Sequence, residues 1–233
     1  MSETAKTLAI DVGGSGLKML VLDAKGEALT ERTRVLTPRP AEPEAIVEAL
    51  LTMDDAHGSY DRISCGFPGV VVDGVVQNAP NLDGNWHGYD LRAVLEKRFG
   101  KPARVANDAD VQGYGAMEGK GVELVITLGT GLGSALFVNG HLVPNLELGH
   151  HPFKDGKTYE QCLGKAAREE DGKKKWNKAV GEAIAQLEHL FNYRRLYIGG
   201  GNAKKLKIAL PDNAQVVPNR AGLLGGIALW LDP

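Results

Sequence analysis

Leu124-Val-Ile-Thr-Leu-Gly-Thr-Gly-Leu-Gly-Ser-Ala135, running on to Glu147-Leu-Gly-His150, is the stretch whose reading decides the fold. An apolar run, Leu124 to Ile126, enters a turn holding Gly129, Thr130, Gly131 and Gly133. A second apolar run, Ala135 to Val138, leaves it for another turn at Asn139-Gly140. Two such runs around a short glycine turn predict a β-hairpin. The loop also carries the hydroxyls of Thr127 and Thr130. Glycines let backbone N–H groups curl around an anion, and hydroxyls add donors. A hairpin needs turn glycines in any case, so one loop leaves a phosphate site and a plain turn both open.

The chain contains this unit twice. A shift of 116 residues lays Leu8 to Ala24 over Leu124 to Gly140 without a gap. Leu8, Ile10, Gly13 and Leu20 meet identical residues at Leu124, Ile126, Gly129 and Leu136, and Asp11 meets Thr127. The period is too long for a solenoid. Two strand–glycine loop–strand units predict two similar lobes facing each other across a cleft, each loop holding phosphate from its own side.

The bulk properties narrow the class. A chain of 233 residues with 43% hydrophobic content suffices for one large or two small domains. A net charge of -2 provides no general field for nucleic acid. Cys65 and Cys162 are too few for a disulfide framework, and no secretory segment or membrane-spanning apolar run is visible. The expectation is a soluble cytoplasmic protein.

Around the two hairpins, strands are expected at about 7–12, 17–23 and 26–36, then a helix over about 43–53 after Pro38, Pro40 and Pro43. A buried strand at Ile63 to Phe67 stops at Pro68-Gly69, a small hairpin turns at Asp73-Gly74, and a helix covers about 90–99. A strand at 103–106 runs into Asn107-Asp108-Ala109-Asp110, opening a helix to about 118. Helices follow at about 158–170 and 174–191, the second with Ala179, Val180, Ala183, Ile184, Leu187 and Leu190 at core spacing. A strand at 195–198 ends in Gly199-Gly200-Gly201, with a helix from about Asn202, a strand at 214–217 and a closing helix from about 221 to 231. Strands first, then helix and strand alternating, repeated, predict a mixed α/β architecture of two related domains.

Glycine sites at Gly13 to Gly16, Gly129 to Gly133, Gly199 to Gly201 and Gly222 to Gly226 fit neither a Rossmann nor a Walker pattern. Phosphoryl transfer requires donors around the phosphates, a divalent metal and a group that orients the attacking hydroxyl. Asp108, at a strand end where α/β sheets collect ligands, suits the hydroxyl, and the helix start beneath it favours its ionised form. An N-cap is the ordinary reading of Asn or Asp there. Sugar hydroxyls require paired acceptors and donors, which Asn107, Asp108, Glu147, His150, Glu160 and Asn81 supply. Glu147-x-x-His150 also has a zinc reading, but Cys162 stands without a paired cysteine. Lys173, Lys174 and Lys175, with Lys204, Lys205 and Lys207, suit either a solvated face or a polyanion.

Taken together, these motifs resemble the ROK sugar kinases. They are the first loop, Asn107-Asp108-Ala109-Asp110, Leu128-Gly-Thr-Gly-Leu-Gly-Ser134, Glu147-Leu-Gly-His150 and Gly199-Gly-Gly201, in order over nearly the whole chain. Gly13-Gly-Ser-Gly-Leu-Lys18, Phe67-Pro-Gly-Val-Val71 and Leu142-Val-Pro-Asn-Leu-Glu-Leu-Gly-His150 look most like the polyphosphate glucokinase branch. The resemblance implies an actin-like, hexokinase-type (ribonuclease H-like) duplicated fold with a central cleft. Its domains would be 1–109, with the closing helix of about 221–233 returning to it, and 110–220. It implies transfer from polyphosphate, ATP or both to the glucose 6-hydroxyl with Mg²⁺, Asp108 as base and Asp11 near the metal. Asn107, Glu147, His150 and Glu160 would contact sugar, beside Asn81 from the reading of the residues above. Asp11, Gly13, Gly14, Ser15, Gly16, Lys18, Thr127, Gly129, Thr130, Gly131, Gly199, Gly200 and Gly201 would hold the donor. A homodimer is also implied. The paired-cysteine zinc loop of many ROK proteins is missing between His150 and Glu160, so no zinc is expected. The run after Val216-Val217-Pro218 is shorter than usual in the family. The alternatives are an ATP-dependent kinase for glucose, mannose or another hexose, and a non-catalytic sugar sensor.

Overall fold

The computed structural model describes residues 5–218 and 221–230. The chain divides into two compact units, Met1–Gly115 with Gly222–Pro233, and Ala116–Ala221.

In the first unit, β1 (Thr7–Gly13) and β2 (Gly16–Leu22) form the antiparallel hairpin, with β3 (Thr33–Val35) at its edge. The strand expected over 26–36 contracts to β3. The Asp23 carboxylate accepts the N–H groups of Lys25 and Glu27, each at 2.8 Å, and so holds the chain in a turn. Helix α1 (Pro43–Asp54) starts on proline and buries Ile46, Val47, Leu50 and Met53. Then come β4 (Arg62–Phe67), the two-residue strands β5 (Val71–Val72) and β6 (Val75–Val76), and α2 (Leu91–Phe99). Asp90 caps α2 by accepting from Ala93 N at 2.9 Å, and left-handed Gly100 stops it. Strand β7 (Ala103–Asn107) leads into α3 (Asp108–Tyr114). The sheet order is β3-β2-β1-β4-β7, with β4 parallel to β1 and β7 parallel to β4.

The second unit repeats this plan. It comprises β8 (Val122–Leu128), β9 (Leu132–Val138), β10 (His141–Val143), β11 (Pro152–Lys154), β12 (Lys157–Thr158), α4 (Tyr159–Leu163), α5 (Lys165–Phe191), β13 (Arg195–Gly199) and β14 (Ala214–Val216). Its main sheet runs β10-β9-β8-β13-β14, again an antiparallel hairpin followed by two parallel strands. The repeat read from the sequence is therefore a repeat of topology.

Chain order closes with α6 (Ala221–Ala228), which from Gly225 onward packs within the first unit. Ser64 Oγ donates to Gly226 O at 2.5 Å and accepts from Trp230 Nε1 at 2.9 Å. The Arg62 and Arg104 guanidinium carbons each stand 5.0 Å from the centre of the Trp230 ring. Ile227 meets Ala9, Leu20 and Leu22 on the face of the sheet that α6 covers.

Several expected boundaries move. Helix α3 ends at Tyr114 rather than near 118 and groups with the first unit, whereas the sequence reading divides the chain at 109/110. The reason is packing, since Val111 lies against β4 at Gly66. The helix expected from Asn202 is only a 3-10 turn, Ala203–Lys205. The break near 171–173 is a single residue, Gly172, at φ 75 within α5. Leu190, expected in the core, is 59% exposed; Phe191, one step further round the helix, packs on the core instead. Residues 231–233 of the expected closing helix lie outside the described residues. Among the described residues no helix is long and apolar enough to cross a membrane.

Candidate active site

Both hairpins end in the same local arrangement. Asp11, near the end of β1, is in register with Gly66 of β4, and Thr127, at the equivalent place on β8, is in register with Gly199 of β13. Each strand-end polar side chain thus has a neighbour without a side chain.

In the first unit Gly66 has a second consequence. A Cβ built on it would lie 3.5 Å from the Asp108 Cα and 3.6 Å from Val111 Cγ2, so the start of α3 rests directly on the sheet. Gly66 pairs with both Asp11 and Ala106, and parallel partners in register point to the same face. The backbone therefore brings Asp11 and the start of α3, where Asp108 sits, to the same end of β4. Lys18, opposite Asp11 in the hairpin, places Nζ 2.5 Å from Asp11 Oδ2. Asn107 is committed at both ends: Oδ1 accepts from Ala109 N at 2.7 Å, and Nδ2 donates to Gly69 O at 3.0 Å. Its N-cap reading thus holds, and its direct work is to orient the start of α3.

The Gly13–Gly16 loop is gripped through its carbonyls. Thr37 Oγ1 donates to Gly13 O at 2.5 Å and Arg39 Nη2 to Gly14 O at 2.7 Å. Asp83 braces Arg39 at 3.0 Å while also accepting from Ala41 N at 2.8 Å; that backbone bond and Arg39 hold its carboxyl below the usual range. Two of the loop's carbonyls are thereby occupied, and backbone N–H groups are what such a loop presents to an anion. Asn81 lies beside this loop, its carbonyl 3.3 Å from where a Gly14 Cβ would sit. Thr37, Arg39 and Asp83 are scattered through a proline-rich connection and an aromatic loop, and no local pattern in the sequence marks them.

In the second unit three sugar candidates converge on the second loop. Glu160 Oε2 accepts from Leu132 N at 3.3 Å, and a Cβ on Gly131 would overlap the Glu160 carboxylate. Glu147 Oε2 lies 3.9 Å from His150 Nδ1. Burial pushes the Glu147 carboxyl up, with His150 opposing and Glu160 adding to the rise. His151 turns away, lining a groove of about 500 Å³ with Tyr159 and His189. Among the described residues no group of three or more His, Cys, Asp or Glu is placed to hold a metal ion.

Two residues outside the sequence reading hold this cluster. Ser134 Oγ donates to Leu146 O at 2.7 Å and accepts from Leu148 N at 3.2 Å, fastening both neighbours of Glu147. In the ungapped repeat Ser134 lies over Lys18, yet its side chain serves the opposite face. The first turn contains Gly14 and Ser15, whereas the second contains Gly129, Thr130 and Gly131, so Thr127 pairs with Gly133 rather than Ser134. A slip of one residue reverses the face. Asn202 is the other: its N donates to Leu128 O and its Nδ2 to Gly129 O, both at 2.9 Å.

The glycines separate by cause. Gly200 adopts φ +85 and any side chain there would strike the Leu128 backbone. Gly225 and Gly226, in the fourth glycine site, let α6 approach Val111 and Ser64, so they serve packing. At Gly129 and Gly201 a Cβ would meet nothing within 4 Å among the described residues, whose packing therefore does not demand glycine there.

Comparison with known proteins adds a further observation. A family model described as the ROK family matches residues 7–170. A polyphosphate glucokinase of Mycobacterium tuberculosis is 34% identical over 234 residues, covering 93% of this chain and 88% of the relative. The solved inorganic polyphosphate/ATP-glucomannokinase from Arthrobacter sp. strain KM superposes with a TM-score of 0.87 at 36% identity, over 97% of this chain and 99% of that one. A ROK family glucokinase from Streptomyces griseus, solved with glucose and AMPPNP, shares the fold at a TM-score of 0.81 and 23% identity, over 96% and 98% of the two chains.

Proposed function

The chain belongs to the ROK family and has its actin-like, hexokinase-type α/β fold, and from that premise we propose that it is a polyphosphate- and ATP-using glucokinase. It transfers a phosphoryl group to the 6-hydroxyl of glucose. The observation that carries this reading is internal to the second unit. The glycine loop suited to phosphate and the Glu147–His150–Glu160 cluster suited to sugar hydroxyls meet at the Leu132–Glu160 hydrogen bond.

Each residue has a role that its surroundings support. Glu147, His150 and Glu160 take the sugar hydroxyls, and Asn81 adds an amide beside the first loop. Asp108 accepts the hydrogen of the 6-hydroxyl, orients its oxygen and takes the proton as the O–P bond forms and the donor's terminal P–O bond breaks. Asn107 sets its angle by capping α3. Backbone donors of Gly13–Gly16, Gly129–Gly131 and Gly199–Gly201, with Ser15, Lys18, Thr127 and Thr130, hold the donor phosphates.

A divalent ion fits this donor set in one way. Mg²⁺ is commonly held by one or two carboxylates together with substrate phosphates rather than by an all-protein cage. Asp11, a partly buried carboxylate at a strand end beside Gly66, is such a ligand. The ion, when bound with the donor, neutralises charge on the transferring phosphoryl group. We further propose a cytoplasmic homodimer that has no nucleic-acid partner.

The test is glucose 6-phosphate formation by purified protein with Mg²⁺, comparing polyphosphate and ATP at matched phosphoryl concentration. Product from both donors is expected, and product from neither would refute the reading. Mannose belongs in the same assay, because the Arthrobacter enzyme is named for both sugars.

A further inference from the structure

The basic residues around the second glycine loop do not all belong to a solvated face. Lys175 does: its ammonium pairs with Asp171 at 2.6 Å and its side chain is 72% exposed. Arg168 is the opposite case. Its side chain is 11% exposed, and among the described residues its buried Nε has no hydrogen-bond partner. Its ion pair with Glu169 is long, Nη2 to Oε1 at 3.6 Å, and that glutamate is 58% exposed. A guanidinium charge so little exposed and so weakly paired is costly.

Other cations gather around it. Loss of solvent, together with Arg168, Lys204 and Lys173, holds the Lys205 ammonium below the usual lysine range, with Glu169 acting in the opposite sense. Placing like charges together is unfavourable unless an anion joins them.

The patch lies on the two segments that bracket the Gly129–Gly131 loop. On one side Lys165 N, at the start of α5, donates to Thr130 O at 3.0 Å, one turn before Arg168. On the other side Asn202 Nδ2 donates to Gly129 O, and Lys204 and Lys205 follow directly. A chain of phosphates leaving the loop along this side of the second unit would meet cations from both segments.

We propose that Arg168, Lys173, Lys204 and Lys205 bind the inner phosphates of an inorganic polyphosphate whose terminal residue occupies the Gly129–Gly131 loop. This rests on the phosphotransferase reading above and names the extended anion that the site takes. A nucleotide ends its charge after three phosphates and continues as an uncharged nucleoside, whereas polyphosphate carries charge on every residue and can repay a row of cations. Arg168 acts here through the positive charge of its guanidinium, its Nε itself being closed to solvent.

The experiment compares wild type with the double variant Lys204→Gln/Lys205→Gln, using long-chain polyphosphate and tripolyphosphate as probes. Binding is measured by calorimetry without glucose at low and high salt, and KM is measured with glucose saturating. Wild type should bind the long chain at least about tenfold more tightly than tripolyphosphate, equivalent to 1.4 kcal/mol, with the advantage shrinking as salt rises. The variant should lose that advantage and show a long-chain KM about tenfold higher, with the KM for glucose unchanged. Equal wild-type affinity for long and short chains, or an unchanged long-chain KM in the variant, would overturn the proposal. So would displacement by RNA of equal total charge as effective as that by polyphosphate, which would mark a general polyanion surface. The isotherms need no turnover, so an inactive enzyme that still prefers the long chain would sink the glucokinase reading and leave this site standing.

Discussion

Gly129→Ala separates donor binding from folding in a way that neighbouring glycines cannot. Alanine at Gly200 would have to adopt φ +85 and strike Leu128, and alanine at Gly131 would strike Glu160. Loss of activity in either would only report a damaged fold. Gly129 has ordinary φ, and a methyl group on it meets nothing within 4 Å among the described residues. Replacing such a glycine removes freedom from the unfolded chain and stabilises by about 0.4–1 kcal/mol, a Tm rise of about 1–4 °C for a chain of this size. Binding should suffer at the same time. A backbone N–H bonded to a phosphate oxygen sits about 2.9 Å from it, whereas a methyl carbon needs about 3.5–4.0 Å. Displacing the phosphate costs about 1.5–3 kcal/mol for one charge-assisted bond, about 10- to 150-fold in kcat/KM for the donor. Thermal unfolding without ligands and steady-state kinetics with the donor varied give the two readings. Wild-type kcat/KM with both polyphosphate and ATP would refute the placement of donor phosphate on this loop. A fall in Tm would refute the claim that the position is open.

Other substitutions test the remaining roles. Asp108→Ala should lower kcat more than tenfold, a barrier increase above about 1.4 kcal/mol, while calorimetry still detects glucose; kcat above a tenth of wild type would remove Asp108 as the base. Ser134→Ala strips the hydrogen bonds on both sides of Glu147, costing about 1–3 kcal/mol for the buried groups left unpaired. Its glucose KM should rise with the donor KM unchanged, and a rise in donor KM alone would contradict the placement. For Glu147 the sign follows from burial, which raises its folded pKa. Its contribution to stability is fully present below the unfolded value of about 4.3 and is lost as pH rises through the folded value. Glu147→Gln should therefore be at least as stable as wild type at pH 7 yet bind glucose more weakly. Wild-type glucose affinity should also weaken as pH falls through the raised pKa. A variant that melts earlier but binds glucose normally would reverse the assignment.

The two hairpins and their repetition were legible in the sequence because alternating apolar residues and glycine turns act over a few residues. The Asp11/Thr127 correspondence followed from the same ungapped match, and the sheets place both at equivalent strand ends. The N-cap reading of Asn107 was local in the same way. The limits of α3, the short β3 and the exposure of Leu190 were not legible, because each depends on which neighbour the element meets.

The sequence by itself determined two copies of one folding unit and the residue types able to handle phosphate and sugar. Tertiary structure decided which of those residues are available. One extra residue in the second turn shifted the register and turned Ser134 away from the face that Lys18 serves. Packing divided a uniform set of glycines into Gly200, held by its backbone conformation, and Gly129, with open space before it. The distant Gly69 carbonyl claimed the amide nitrogen of Asn107, whose oxygen the local cap already used, and among the described residues no group pairs with the Nε of Arg168. Local pattern selects backbone conformation, because steric preference and turn chemistry extend over a few residues. Which polar groups remain for a ligand is settled only when segments far apart in the chain have satisfied one another's hydrogen bonds.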